Sequence, residues 1–443
     1  MSVPSQSLAQ GAWVNVVTRS GAVVLGLLIT LVAARLGTEA VGVFALFTAV
    51  ESALLALASG GGIVLARRIS HFGWAPGGAL SALVLTSLIL GALVAAAVWS
   101  ASQWGDSAYQ GLWILAVALP LLLLTPNVSG LWLGQGRMRP LGWLTLGTPA
   151  LTLLIWALGT RLGAPATVAT LLWVWVGARS LVALGASAAA LRQTGWAAPE
   201  GHWLRSQTRP MLILGLTNLV SLLNYKVDVF LVERWLGLSA TGVYAVAVML
   251  AELLWFVSSS LSQAAFARIG TPDRAQAAAL ALRVMHFSIA ALLAVAPFLY
   301  VTAVWLVPWW LGPAYAEVRP LLAVLLPAVL AYAPASVLSA YFTNHAGRPG
   351  IPALMASGSL LINVLVCSWA IPSFGTLGAA LATLVSYALT MACLLTWFRR
   401  HAGCSWRQVL WPRPGQLRDD GRAVLALWRH LITRKRSSGQ RMP

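Results

Sequence analysis

Four charged side chains stand inside otherwise apolar stretches of this sequence, at Arg19, Glu51, Arg179 and Glu252. Their setting is unusual, since 59% of the residues are hydrophobic and only 9% are charged. A charge at the centre of a lipid bilayer is costly, so such residues face a water-filled cavity or a partner of opposite charge. These four positions are therefore the first candidates for binding chemistry.

The residue types indicate what that chemistry would be. Arginine suits an anion, because its planar guanidinium donates paired hydrogen bonds to phosphate and stays charged. We expect Arg19, with Asn15 one helical turn before it, and Arg179 to hold an anionic group in a wet cavity. The glutamates, Glu51 and Glu252, would carry protons or bind a sodium ion. The alternative is internal pairing, in which Arg19 binds Glu51, or Arg179 binds a helix carbonyl, and the contact only fixes the helices.

Lys226 and Asp228 are further candidates in the seventh apolar segment. They lie near its outer end, so they either line the cavity or sit at the membrane interface. Residues two apart do not face each other on a helix, and these two need not pair. His286, just inside the ninth segment, is predicted to be a boundary residue.

Transmembrane helices must position these side chains. Soluble proteins are about a quarter charged, whereas this chain has uncharged runs such as Gly111 to Leu133 and Ile351 to Ala370. About 20 apolar residues cross a bilayer as a helix, and the runs do not alternate with the period of a barrel strand. We predict an all-α polytopic membrane protein with twelve spans, at about 11–34, 41–65, 77–100, 110–133, 141–160, 165–190, 210–232, 241–266, 284–307, 319–342, 351–371 and 376–398.

Prolines inside three spans predict kinks, because proline removes a backbone hydrogen bond and clashes with the preceding turn. The fourth, ninth and tenth spans contain them, at Pro120, Pro126, Pro297, Pro327 and Pro334.

Basic residues predict the orientation. Eleven arginines lie in loops after even-numbered spans and four in loops after odd-numbered spans. The positive-inside rule then places both termini in the cytoplasm. Residues 401–443 form a basic tail, in which Val424, Leu427, Trp428 and Leu431 recur at helical spacing. We predict an amphipathic helix lying on an anionic leaflet, the alternative being a solvated tail held inside by its charge. Nucleic acid is not an expected partner, because the excess charge sits where an orientation signal belongs.

Cysteine, histidine and glycine patterns predict no cofactor. Cys367, Cys393 and Cys404 form no spaced framework and are expected to be unpaired. His401 and Cys404 are close in sequence but lack a second pair of ligands, which makes a weak zinc signal. No G-x-x-x-x-G-K-[ST] loop is present, so ATP-driven activity is not expected of this chain.

The sequence repeats itself. LGTEAVGVFALF, from Leu36, returns as LGLSATGVYAVA, from Leu236, and the same offset carries Arg68 to Arg268 without a gap. Loop residues 134–137 (GQGR) return as 345–348 (HAGR), and residues 169–171 (ATL) return as 382–384. We predict two six-helix bundles, 1–200 and 205–400. An even number of spans leaves both in the same orientation, the plan of parallel repeats around a central cavity that opens alternately to each side.

These stretches carry a resemblance to a known family. ARLGTEAVGVFAL, NYKVDVFLVERWLGLSATGVYAVAVMLAELLWFVSSSLSQAAFARI and GRPGIPALMASGSLLINVLVCSWAIPSFGTLGAALATLVSY are similar to the polysaccharide and oligosaccharide flippases of the multidrug/oligosaccharidyl-lipid/polysaccharide (MOP) exporter superfamily, the Wzx-type transporters of O-antigen and exopolysaccharide pathways. The resemblance covers Val14 to Phe398 and implies a MATE/MOP-like fold.

The resemblance also implies a task and partners. Such a protein, which is not an enzyme, moves an undecaprenyl-pyrophosphate-linked oligosaccharide across the bacterial inner membrane by alternating access. Its partners would be that lipid-linked substrate, membrane lipids, and polysaccharide polymerase or assembly proteins. Cationic residues of the family's first and seventh spans map onto Arg19 and Lys226, and its seventh-span aspartate maps onto Asp228.

Three alternatives stay open at this point. A cation-coupled multidrug exporter of the same superfamily would suit Glu51 and Glu252, although Arg19 would repel a cationic drug. A membrane scaffold for polysaccharide assembly would not transport at all. An integral-membrane glycosyltransferase would need large extramembrane loops with catalytic acids, which this sequence lacks.

Overall fold

Every regular element of the computed structural model is helical within the residues it describes, which are 8–72, 77–104, 109, 111–269, 273–348 and 350–412. The predicted all-α class is therefore confirmed. Fifteen α-helices follow one another along the chain: α1 Leu8–Arg35, α2 Thr38–Ala58, α3 Gly60–Phe72, α4 Gly77–Trp104, α5 Leu112–Leu122, α6 Leu124–Gly134, α7 Met138–Arg161, α8 Val168–Thr194, α9 Gly201–Ile269, α10 Arg274–Leu311, α11 Val318–Tyr332, α12 Ala335–Ala340, α13 Gly350–Phe374, α14 Thr376–Ala402 and α15 Trp406–Leu410. A 3₁₀ turn, Pro313–Tyr315, and a π-helical turn, Tyr341–His345, complete the list.

Eleven helical segments in the described part of the chain are long and apolar enough to cross a membrane. One of them, Gly201–Trp255, has 55 residues, more than twice the length that one crossing needs. It is interrupted at Gly237, whose φ of 79° only glycine adopts readily. The predicted seventh and eighth spans lie on either side of this break, so the eleven segments accommodate the twelve predicted spans.

Three predicted spans, the second, the fourth and the tenth, consist of two helices each. Leu123 separates α5 from α6, and Ala333 and Pro334 separate α11 from α12, both in spans where prolines favour an interruption. By contrast, α10 and α11 continue past Pro297 and Pro327.

The second span differs from its prediction as one helix over 41–65. Its helix α2 ends at Ser59, whose backbone N–H and hydroxyl both donate to the Ala56 carbonyl, at 3.3 and 2.7 Å. Helix α3 then begins at the glycine triplet. This run lowers helix propensity and allows a new axis direction, so no proline is needed for the break.

The two glycines that the repeat pairs, Gly42 and Gly242, make a reciprocal contact. A Cβ on Gly42 would overlap the carbonyl oxygen of Leu238, and a Cβ on Gly242 would overlap that of Thr38. Thr38 and Ser239 also share a hydrogen bond of 2.7 Å between their hydroxyls. Leu238 and Gly242 follow Thr38 and Gly42 at the same repeat offset. Each glycine therefore contacts the residue that is the repeat equivalent of its partner's contact. Glycine is required at both positions because two backbones meet there.

The chain forms two compact units. The first comprises Met1–Met249, Val304–Leu322 and Leu360–Thr383, and one of its cores packs Leu65, Leu80 and Leu131. The division of the sequence into bundles 1–200 and 205–400 stays a prediction drawn from the repeat.

The second unit comprises Leu250–Ala303, Ala323–Ser359 and Leu384–Pro443. Its core includes Tyr341 and Phe398, and Val409 of α15 packs into it at 2% exposure. His286, predicted as a boundary residue, is buried here, with Nε2 2.9 Å from the Val409 carbonyl. The predicted amphipathic helix of the tail lies outside the described residues.

Candidate substrate and coupling sites

A buried ion pair joins α2 to α8 within the first unit. Glu51 is completely buried, and Arg179 Nε lies 2.7 Å from its Oε1. Trp175, one turn before Arg179 on the same face of α8, donates from Nε1 to the other oxygen, Oε2, at 2.8 Å. The partner of Glu51 is thus Arg179, and neither of the internal pairings considered from the sequence is the one observed.

This pair holds the guanidinium in one orientation. A buried carboxylate persists only when it is paired, and Trp175 also stacks near the cation, with Arg179 Cζ 5.3 Å from its ring centroid. The Arg179 side chain keeps 25% exposure, and its two Nη atoms donate to no residue in the described ranges. The outer edge of the guanidinium is therefore available to an anion.

Arg19 is exposed on α1 and makes no hydrogen bond or ion pair with any residue whose side chain the structure describes. Asn15 lies on the same helix, but its side chain is outside the described part. Lys226 is half-buried on α9, as is Glu252, which belongs to the second unit. Cavity roles for these residues stay predictions.

Asp228 is buried at 5% exposure. Its position, in the cavity or at the membrane interface, stays a prediction. Among the described residues, two donors make short hydrogen bonds to its carboxylate. The Tyr244 hydroxyl donates to Oδ2 at 2.6 Å, and the Val229 backbone N–H donates to Oδ1 at 2.9 Å. Thr383 Oγ1 on α14 adds a longer contact to Oδ2 at 3.4 Å. The site therefore connects the seventh, eighth and twelfth spans.

The polar cluster around Asp228 extends further into the first unit. Asn363 Nδ2 lies 3.4 Å from Thr383 Oγ1, and the Cys367 thiol lies 3.4 Å from Asn363 Oδ1. Asn224, one turn before Asp228, is 3% exposed, and its amide atoms find no partner among the described residues. A carboxylate with amide and hydroxyl oxygens is a donor set for a hard cation or a site for proton exchange.

No group of three or more His, Cys, Asp or Glu in the described ranges could hold a metal ion. The weak zinc signal of His401 and Cys404 finds no further ligand there, and all three cysteines are free thiols.

The Asp228 cluster could have been predicted from two positions at which the repeat copies differ. At the repeat offset, Leu28 and Phe44 of the first copy correspond to Asp228 and Tyr244 of the second. The two changes meet in space as a hydrogen bond. Phe44 itself packs edge-on against Trp175, with ring centroids 5.4 Å apart. The two repeat stretches quoted from the sequence contain the Phe-to-Tyr change, but they do not show its connection to Asp228.

Comparison with known proteins identifies the fold. No family model matches this sequence, and no curated protein matches it either. Among solved structures, a multidrug resistance MATE family transporter of the MOP superfamily in its outward-facing conformation matches with a TM-score of 0.65 and 15% identity, over 89% of this chain and 96% of that one. Its inward-facing conformation matches with a TM-score of 0.65 and 14% identity, over 86% and 94%.

A MOP superfamily transporter from Pyrococcus furiosus, whose binding pocket is described as having reverse polarity, matches with a TM-score of 0.59 and 16% identity, over 88% of this chain and 94% of that one. At these identities the similarity establishes the fold. The chain is a multi-pass membrane protein with the fold of the MATE and MOP transporters, as the sequence predicted.

Proposed function

We propose that the protein is a membrane exporter that moves an undecaprenyl-pyrophosphate-linked oligosaccharide between leaflets by alternating access. The observation that carries the proposal is the Arg179 guanidinium. It is fixed from one side by the buried carboxylate of Glu51, and its outer edge has no partner among the described residues. A diphosphate cannot cross hydrocarbon unaided, and arginine offers it charge and paired donors together.

Arg19 supplies a second cation in the first unit. It is exposed on α1. Glu51 is already paired with Arg179, so Arg19 is not its counter-ion. Two separate guanidiniums suit a substrate with two phosphate groups better than they suit a cationic drug, which both would repel.

We assign ion coupling to Asp228 rather than to Glu51. The Glu51 carboxylate is committed to Arg179 and Trp175. Asp228 instead accepts hydrogen bonds from neutral donors, and Asn224, one turn before it, has an amide without a partner among the described residues. A monovalent cation or a proton would neutralise the carboxylate that these donors hold. Glu252 remains a second coupling candidate.

Multidrug export is the second candidate function. The similar structures include multidrug resistance transporters, and a buried aspartate of the kind seen at Asp228 can attract an organic cation. The two functions differ in the sign of the cargo, and this difference allows a direct test.

The test is complementation of a strain that lacks its oligosaccharide flippase, with membrane levels of each variant measured alongside. We expect Arg19→Ala to abolish complementation at near-normal protein levels. Arg19→Lys should rescue partly, because an ammonium keeps the charge but loses the fork. Arg161→Ala, an exposed arginine at the end of α7, is the matched control and should complement fully. Failure of the parent protein to complement, together with ethidium efflux by cells expressing it, would refute the flippase and support drug export. Full complementation by Arg19→Ala would instead remove Arg19 from the substrate site.

A further inference from the structure

The second unit contains a pocket of about 490 Å³ where α14 ends and α13 begins. Its lining combines cationic and apolar side chains: Phe342, Arg348, Ile351, Trp397, Arg400 and His401. The orientation predicted from the loop arginines places this end of the helices at the cytoplasmic face. None of the residues named so far as substrate or coupling candidates belongs to it.

The polar groups of the pocket are all potential donors. Arg348 and Arg400 are exposed, and no hydrogen bond or ion pair to either side chain occurs among the described residues. A hydrogen bond on one side orients the His401 ring, because its Nδ1 lies 3.1 Å from the hydroxyl of the fully buried Tyr341. When Tyr341 donates this bond, the ring proton sits on Nε2, which makes His401 a third donor. Arg274 and Arg348 act electrostatically on the same ring, and among the described residues no acidic one lines the pocket.

The repeat provides an internal comparison for this loop. Gly136 and Gly347 have φ of 65° and 63°, and the following Arg137 and Arg348 donate their backbone N–H to a carbonyl of the preceding helix at 2.9 and 2.8 Å. The two turns are therefore similar, although the bond reaches back five residues in the first copy and six in the second. In the first copy, the side chain of Arg137 is satisfied by Gln193 Oε1 at 2.8 Å. In the second copy, Arg348 lines a pocket together with Arg400 and His401, and its side chain has no acceptor among the described residues.

We propose that this pocket binds a phosphate group carried by a membrane lipid. Two guanidiniums and an imidazole without an acceptor are a recognition set for a phosphate. The walls formed by Phe342, Ile351 and Trp397 suit the upper part of an acyl or prenyl chain, and basic pockets between helices at the cytoplasmic face bind anionic head groups. The proposal holds for a drug exporter as well as for a flippase, so its failure would leave the proposed substrate unaffected.

Two sources share this chemistry. One is the phosphodiester of an anionic phospholipid, which would be a permanent structural lipid. The other is the phosphate end of a polyprenyl carrier, which would make the pocket an initial binding site for the substrate on the inner leaflet. Binding measurements with both lipids separate them.

Native mass spectrometry of the purified full-length protein in neutral detergent provides the measurement. The probes are phosphatidylglycerol, undecaprenyl phosphate, phosphatidylcholine as the zwitterionic control, and inorganic phosphate. The test variant is Arg348→Gln with Arg400→Gln. The matched control is Arg137→Gln with Arg192→Gln, which removes two exposed or satisfied arginines from the corresponding end of the first copy.

We expect one bound phosphate lipid whose affinity falls at least about tenfold in the test variant and stays within about twofold of the parent in the control. Phosphatidylglycerol or undecaprenyl phosphate, whichever binds more tightly, identifies the source. Equal losses in both variants, no loss in either, or binding of phosphatidylcholine as tight as that of the anionic lipids would overturn the proposal. Equally tight binding of inorganic phosphate would overturn its lipid part.

Discussion

Tyr244 donates its hydroxyl to Asp228 across 2.6 Å, and both residues mark points where the second copy of the repeat departs from the first. The first copy has Phe44 and Leu28 at these positions and forms no such bond. A buried polar cluster has therefore been built on one copy alone. Its central contact is a hydrogen bond to a carboxylate, which makes it a sensitive point for substitution.

We expect Tyr244→Phe to destabilise the protein by about 1–3 kcal/mol, because it removes a donor from a buried carboxylate without changing shape. Thermal unfolding in detergent would measure the loss. Tyr109→Phe is the matched control, since Tyr109 donates to Glu233 at a similar 2.7 Å but is itself half-buried. If the Tyr109 variant loses as much stability as the Tyr244 variant, Asp228 has no special dependence on its donor.

The Glu51–Arg179 pair yields a rescue experiment. Arg179→Gln leaves the Glu51 carboxylate buried without its cation, which costs about 3–5 kcal/mol and should deplete folded protein from the membrane. Adding Glu51→Gln removes the stranded charge and keeps an acceptor for Trp175, so protein levels should recover. Under the proposed function, glycolipid transport should stay lost, because Arg179 no longer offers the proposed anion-binding edge.

The control for this rescue is Arg68→Gln. It breaks a bidentate pair with Glu200, but the Glu200 side chain is 38% exposed, so water can solvate the carboxylate that remains. This variant should lose less protein than Arg179→Gln. A double variant as depleted as the Arg179 single variant would show that the pair is not the source of the instability.

Gly42→Ala should destabilise the protein by about 1–3 kcal/mol, because the added methyl overlaps the Leu238 carbonyl and two backbones must move apart. Gly242→Ala should cost a similar amount, and the double variant should cost less than the sum, since both act on one contact. Gly26→Ala is the control: a Cβ there meets nothing within 4 Å. Chemical unfolding in detergent would rank the variants, and equal stability of the Gly26 and Gly42 variants would contradict the reciprocal contact.

Single cysteines can test the predicted orientation. A thiol at Ala166 or Ala316 should react with an impermeant maleimide from the periplasm, and one at Ser70 or Ser206 should not, all four sites being exposed. Cys393 is exposed and must first be replaced by serine. Burial raises the pKa of the Cys404 thiol, with Arg274 acting in the opposite sense, so this thiol is mainly protonated at neutral pH and slow to react. The reverse labelling pattern would place both termini outside.

The spans were predictable because apolar length alone decides whether a helix crosses a bilayer. The break at Ser59 was not, since no proline marks it and the glycine triplet signals only a weak point in the helix. The break at Ala333 and Pro334 was predictable from its proline.

The side-chain partners were harder to predict. Sequence places Glu51 and Arg179 at depth but does not fix the rotation of α2 or α8 about its axis, and that rotation decides which charge meets which. Asp228 was assigned a position near a span end by counting residues. Counting along one span cannot show that Tyr244, beyond the Gly237 break in α9, and Thr383 on α14 contact it. The residue types were therefore predictable, but contacts between segments far apart in the sequence were not.

The reciprocal glycine contact has a consequence for how the two copies could diverge. It has the form of an isologous interface, the kind that two identical subunits make across a twofold axis. In a homodimer, each substitution would appear on both sides of that axis, and a carboxylate gained by one subunit would be gained by its mate. A covalent link removes this constraint. Asp228 and Tyr244 could arise in the second copy while the first kept Leu28 and Phe44, so that this buried carboxylate belongs to one half of the repeat.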